Sequence, residues 1–123
     1  MAKRLRKRYG CPVELSLEFV GGKWKTVILA WLKEAPHRYG ELRARIPGLA
    51  DKVLTERLQE LEDLGLVTKE AAPRATHVYR LTARGESLRP VLDSLYLWGK
   101  QMAVELDVRV GERQVRPRRV TPG

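Results

Sequence analysis

Apolar residues recur along the chain in short blocks, and their spacing changes from helical to alternating and back to helical. Cys11-Pro12 opens the first block, because proline at the first helical position has no amide proton to leave unpaired. Val13, Leu15, Leu17, Phe19 and Val20 make residues 12–20 strongly apolar, and Gly21-Gly22 stops the helix. A second helix is expected from about Lys23 to Lys33, with Trp24, Val27, Ile28, Trp31 and Leu32 on one face at helical spacing. Pro36 ends it. Tyr39 to Ile46 reads as a short third helix with Tyr39, Leu42 and Ile46 inward, and Pro47-Gly48 as a tight turn. The fourth helix, from about Asp51 to Leu64, has Leu54, Leu58 and Leu61 as its inner stripe. Asp51 is placed to cap its start and Gly65 to close its end.

The pattern then alternates. Two extended runs, Leu66–Ala71 and His77–Leu81, flank residues 72–76 and read as a β-hairpin. Thr82 caps a long helical region to about Leu106, which Pro90 is positioned to kink or restart. The apolar residues of this last region, among them Leu92, Leu95, Trp98 and Met102, cover more than one stripe, too wide for one small core. It therefore calls for a second copy of itself across a two-fold axis. The expected fold is mainly α with a small β-hairpin: a winged helix-turn-helix that dimerises through its C-terminal helix. Residues 1–10 are expected as a basic flexible arm, 11–107 as the folded domain and 108–123 as a basic tail.

A short helix, a turn, a second helix and a hairpin in that order suit B-DNA, whose major groove admits a helix held at an angle by the one before it. With leucines behind, the fourth helix presents Lys52, Glu56 and Gln59, with Thr55 beside them. Lysine donates to guanine, glutamine pairs with adenine, and threonine reaches a base or a phosphate. Glu56 either accepts from a cytosine amine or repels the backbone. The C-terminal half carries Glu60, Glu62 and Asp63 and disfavours phosphate, so the N-terminal half is expected to dock. Arg74 and Thr76 at the hairpin tip, and Arg38 and Arg43 near the third helix, are the remaining candidate contacts. Any of these side chains also fits an ordinary solvated surface.

Charge sharpens this picture. The net charge of +9 is concentrated at the ends. Lys3, Arg4, Arg6, Lys7 and Arg8 stand without an acid in residues 1–9, and five arginines oppose Glu112 alone in residues 109–123. The interior, 10–108, carries 14 bases and 14 acids. Basic arms suit a polyanion, where each neutralised phosphate releases counterions; they also keep a small protein soluble. No apolar run approaches the roughly 18 residues of a membrane span, and the basic start lacks the apolar core of a signal peptide. With a single cysteine, Cys11, no intrachain disulfide is possible. A cytoplasmic protein is expected.

Several separated segments resemble the HxlR-type transcription regulators. They are Cys11-Pro12-Val13-Glu14 with Gly21-Gly22-Lys23-Trp24-Lys25, then Tyr39-Gly40-Glu41-Leu42-Arg43, then the run Lys52-Val53-Leu54-Thr55-Glu56-Arg57-Leu58 continuing to Gly65-Leu66-Val67. Tyr79-x-Leu81-Thr82-x-x-Gly85, Pro90-Val91-Leu92 and Trp98-Gly99 complete the resemblance, which runs from about residue 11 to 100. It implies a dimeric winged-helix DNA binder that regulates nearby genes, dimerising through its N- and C-terminal helices, so that Val13 and Leu17 of the first helix join Leu92, Leu95, Trp98 and Met102 at the interface. Some HxlR-like regulators use a cysteine at the position of Cys11 to sense oxidants or electrophiles, which here would need a bridge between subunits or a mixed disulfide.

Cys11 also has a bland reading, as a small residue packing the dimer. At a helix mouth, near Lys3–Arg8, its thiolate is favoured. His37 and His77 lack ligand spacing, so no metal is expected. No phosphate loop and no nucleophilic triad stands out, and neither an enzyme nor a cofactor is expected. Trp24, Trp31 and Trp98 fall on apolar faces and are expected in the core or the dimer contact. The expected function is sequence-specific transcription regulation by a homodimer on a pseudo-palindromic operator in double-stranded DNA, with any small-molecule effector unknown. The alternative is a non-specific RNA-binding or DNA-architectural protein that uses its basic arms.

Overall fold

A computed structural model describes residues 5–111 of the chain. Helices α1 (Pro12–Val20) and α2 (Lys23–Glu34) lead into a two-residue strand β1 (His37–Arg38). Helices α3 (Tyr39–Arg45) and α4 (Asp51–Asp63) follow, then strands β2 (Val67–Ala72) and β3 (Thr76–Leu81), then helices α5 (Ala83–Glu86) and α6 (Arg89–Glu105). The expected hairpin is thus part of a three-stranded antiparallel sheet of order β1-β3-β2, with His37 opposite Tyr79 and Val67 opposite Leu81. Strand β1 is too short to leave a periodic signal.

The core is built of leucines from α2, α3 and α4 closed over by the base of the sheet and by α6: Ile28, Leu29, Leu42, Leu54, Leu58, Leu61 and Leu66 are all essentially sealed from solvent. The buried stripe of α2 differs from the expected one. Lys25, Ile28, Leu29, Leu32 and Lys33 face inward, while Trp24, Val27 and Trp31 are half-buried beside the core. The two lysines are accommodated by partners: Lys25 Nζ donates to the Glu18 carbonyl at 2.8 Å, and Lys33 Nζ donates to Asp93 Oδ1 on α6 at 2.7 Å. A buried ammonium is tolerated only with such bonds. Tryptophan is too large to disappear wholly into so small a core and settles at its margin.

Helix α4 ends in a Schellman closure. Leu66 N–H donates to the Leu61 carbonyl at 2.9 Å and Gly65 N–H to that of Glu62 at 2.9 Å, with Gly65 at φ +75°. Pro90 restarts the helix rather than kinking it. Thr82 Oγ1 accepts from Gly85 N–H to begin α5, the chain turns at Ser87-Leu88, and Pro90 lies in the first turn of α6. Three contacts fasten α5 beneath α4. Thr82 N–H donates to the Leu66 carbonyl at 3.0 Å, Thr82 Oγ1 donates to that of Gly65 at 2.6 Å, and Arg84 donates to that of Leu64 at 2.9 Å. A Cβ at Gly85 would collide with the Leu66 carbonyl oxygen, so only glycine permits this approach.

Of the expected basic arm, residues 5–10 lie against α1. The Tyr9 hydroxyl donates to Glu18 Oε2 at 3.0 Å and accepts from Arg6 N–H at 2.9 Å, and Gly10 N–H donates to Glu14 Oε2 at 2.6 Å. Residues 1–4 and the tail residues 112–123 lie outside the described residues. No helix among the described residues is long and apolar enough to cross a membrane.

Candidate nucleic-acid interface

Helix α3 stops because Pro47 has no N–H to continue the ladder, and Gly48 supplies φ +86° for the turn. Leu49, 2% exposed, pins the turn to the core, so α4 starts in a defined direction. Asp51, expected as the cap of α4, is its first helical residue; the cap position is Ala50 and has no side-chain bond. The Asp51 carboxylate instead turns back to α3. Its Oδ1 accepts from Arg43 Nε at 2.6 Å and from the Tyr39 hydroxyl at 3.0 Å. These two bonds, Arg43 first, hold its pKa below the ordinary aspartate range. Arg43 also donates to the Leu49 carbonyl at 2.7 Å. The arginine expected at phosphate is therefore a brace across the turn, with its side chain 38% exposed.

The front of α4 is open. Lys52, Thr55, Glu56 and Gln59 are all exposed, while Leu54, Leu58 and Leu61 are buried behind them. Lys52 and Glu56 make no ion pair among the described residues, so their charges face solvent. Thr55 Oγ1 lies 3.3 Å from the Tyr39 hydroxyl, and Gln59 Nε2 donates to Asp63 Oδ1 at 3.0 Å, which orients its amide along the helix. At 13 residues, the helix is about 20 Å long, enough to cross a groove about 12 Å wide.

The wing stands beside this front. Its tip, Pro73–Ala75, holds Arg74 at φ 64° and Ala75 at φ 57°, both in the left-handed region. Such a turn matches the twist of the two strands, and it leaves Arg74 exposed. Thr76 is half-buried and donates to the Pro73 carbonyl at 2.7 Å, which closes the tip. Arg80 on β3 pairs with Glu70 on β2 at 3.0 Å.

Between wing and α4 runs a groove of about 680 Å³, lined by Arg38, Tyr39, Thr55, Lys69, Thr76 and His77 among others. It gathers Arg38, Thr55 and Thr76 from the expected set, whereas Arg43, Lys52, Glu56, Gln59 and Arg74 do not line it. It also adds Lys69 and His77, which the sequence reading did not select. Alternation along β3 puts His77 on the same side as Tyr79 and Leu81, and pairing puts Lys69 opposite Tyr79. Near the wing tip that side has outrun the core, so these polar residues face the groove. Tyr79 itself is buried, and burial, with Glu62 and Tyr39 nearby, raises its pKa.

A second feature is the uncovered apolar surface of α1 and α6. No residue of α1 is buried. Val13 and Leu17 are exposed, as are Leu95 and Trp98 on α6, the last at 64%. Met102 is half-buried. Leu92, expected with this group, is 3% exposed inside the domain's own core. The reason is the width of the apolar surface of α6: Leu88, Leu92 and Ala103 turn inward, while Val91, Leu95 and Trp98 turn outward. Cys11 is exposed at the start of α1, where its Sγ accepts from Val13 N–H at 3.4 Å.

This architecture has counterparts in known proteins. An HTH-type transcriptional regulator of Methanothermobacter thermautotrophicus is 42% identical over 94 residues, 75% of this chain and 72% of that one. The HTH-type transcriptional regulator YkvN of Bacillus subtilis is 37% identical over 113 residues, 89% of this chain and 93% of that one. Among solved structures, the redox regulator HypR in its reduced form superposes with a TM-score of 0.74 at 31% identity, covering 80% of this chain and 100% of that one. The model of the HxlR-like helix-turn-helix family matches residues 19–107, from the end of α1 to just past α6. With the open face of α4, the wing beside it and these relatives together, the chain belongs to the HxlR-like helix-turn-helix family of transcriptional regulators.

Proposed function

We propose that this transcriptional regulator binds double-stranded DNA as a homodimer, each copy laying the N-terminal half of α4 in a major groove. One observation carries the reading: the polar front of α4 is uncovered while its leucines are locked in the core. Lys52, Thr55, Glu56 and Gln59 then face base edges. Arg38, Lys69 and Thr76 line a groove that suits the phosphate backbone, with Arg74 reaching beyond it. Arg43 contributes chiefly by fixing the angle of α4.

The dimer rests on the outward faces of α1 and α6. Exposed apolar helix faces of this kind mark an interface, and a two-fold axis lets the same face serve both copies. Two α4 helices about 34 Å apart then read a pseudo-palindrome. HypR is named a redox regulator, and Cys11 here is exposed beside the proposed interface, so the proposal extends to a thiol whose oxidation weakens operator binding. A Cys11→Ser protein as sensitive to oxidant as the parent would end that extension. A regulator of this kind works where the chromosome is, in keeping with the cytoplasmic placement expected from the sequence.

The test is gel-shift competition at fixed salt between DNA flanking the protein's own gene and random DNA, with and without residues 1–9 and 109–123. Specific binding that survives removal of the arms, with a shallower salt dependence, supports the proposal. Loss of all binding with the arms, or equal affinity for random DNA and RNA, refutes it in favour of a non-specific binder.

A further inference from the structure

A cleft of about 550 Å³ opens between α2, the C-terminal end of α3 and α6, away from the DNA-facing groove. Its walls are mostly apolar and aromatic, with Val27, Trp31, Ile46, Leu92 and Tyr96 prominent, and Leu95 is shared with the outward face of α6. Leu92 and Ile46 are sealed, so this surface is backed by the core. No acidic side chain lines it.

Arg45 stands at this cleft with its guanidinium 4.8 Å from the centre of the Trp31 ring. It makes no ion pair and no hydrogen bond among the described residues. Other arginines of the domain are committed: Arg43 to Asp51, Arg57 to Glu60, Arg80 to Glu70 and Arg89 to Glu86. The Tyr96 hydroxyl likewise has no hydrogen-bond partner among the described residues. Lys33, which also borders the cleft, is bound to Asp93.

We propose that this cleft binds a small planar aromatic carboxylate. A guanidinium over an indole face is held by the ring's negative quadrupole, yet its in-plane N–H donors remain free. Those donors form a planar fork that matches a carboxylate. The apolar wall takes the flat hydrocarbon part, and the volume fits a drug-sized molecule. A cationic ligand would meet Arg45 with no acid to balance it. A polyphosphate would place several charges against Arg45 and a mostly apolar wall. The Tyr96 hydroxyl is available to a polar ring substituent.

The test is calorimetric titration of the full chain, without DNA, using benzoate, naphthoate and the uncharged naphthamide. At least one acid should bind with one molecule per protomer, and naphthoate should bind about tenfold or more tighter than the amide, as expected for a charged hydrogen bond. Arg45→Gln, at an exposed position whose fold is checked by circular dichroism, should erase that preference. Ala30→Trp, which fills the cleft, should abolish binding of both. Absence of binding by every acid, equal affinity for acid and amide, or an unchanged preference in Arg45→Gln would each overturn the proposal. So would an Ala30→Trp protein that retains ligand but loses its self-association, since the occupant would then be a second copy. Because no DNA is present, failure here is distinct from failure of the operator-binding reading.

Discussion

The ion pair between Lys33 on α2 and Asp93 on α6 offers a quantitative test of how the two helices are joined. Lys33 has 1% of its side chain exposed and Asp93 has 27%. Asp93→Ala would leave the ammonium inside the protein without its nearest carboxylate. Breaking a buried pair in this way costs about 3–5 kcal/mol. Two features lower the figure: Glu34 Oε2 lies 3.3 Å from the same ammonium, and Asp93 is partly solvated already. The expected loss is about 2–3 kcal/mol, against a total of about 5–15 for a domain. At about 4–8 °C per kcal/mol in a small domain, the thermal midpoint should fall by roughly 8–24 °C. Urea and thermal unfolding followed by circular dichroism, at matched protein concentration, would measure it. The double variant Lys33→Met/Asp93→Leu removes both charges and should recover most of the loss, since an apolar pair of similar volume commonly equals a buried ion pair. A loss below about 0.5 kcal/mol for Asp93→Ala would show that the pair is not what satisfies Lys33.

Further expectations follow from the site and the apolar face. Lys52→Ala should weaken DNA binding and reduce the slope of log affinity against log salt by about one if Lys52 neutralises a phosphate, or relax base preference at one position if it reads a guanine; anisotropy titrations at several salt concentrations separate the two. Trp98→Asp, at a position 64% exposed, should leave the protomer folded but shift sedimentation from dimer to monomer. An unchanged sedimentation coefficient would count against α6 as the contact. The lowered pKa of Asp51 means that its pairing stabilises the fold above the unfolded aspartate value of about 3.9 and ceases to do so as pH falls through the lower folded value. The stability gap between the parent and Asp51→Asn should therefore be present at neutral pH and close in strong acid; a gap that widens on acidification would reverse the sign of this argument.

Much of this molecule is legible in its residue pattern because its helices carry strong punctuation. Gly21-Gly22, Pro47-Gly48, Gly65 and Pro90 each act through backbone geometry that no neighbour can override, and each marks a boundary seen in the structure. What pattern alone missed depended on partners distant in sequence. Lys25 and Lys33 look like surface charges until the Glu18 carbonyl and Asp93 are brought beside them. Asp51 looks like a cap until Arg43 draws it back across the turn. Leu92 and Leu95 look alike by composition, and only the rotation of α6 against the core separates one from the other. Strand β1 exists because β3 pairs with it. At the candidate interface, the periodicity of α4 sufficed for its exposed front, whereas Lys69 and His77 required the register of the sheet.

The seam where Gly85 slides under the Leu66 carbonyl bears on how this protein tolerates imperfect targets. Thr82, Arg84 and Gly85 all engage the last turn of α4 or the residues just after it. Little slack is left between the part proposed to touch bases and the part proposed to meet the other copy. A ruler of that sort measures distance as strictly as it reads letters. One extra base pair at the centre of a binding site turns the far half by about a tenth of a helical repeat. With no supple linker to follow that turn, the second head would be left facing sugar and phosphate.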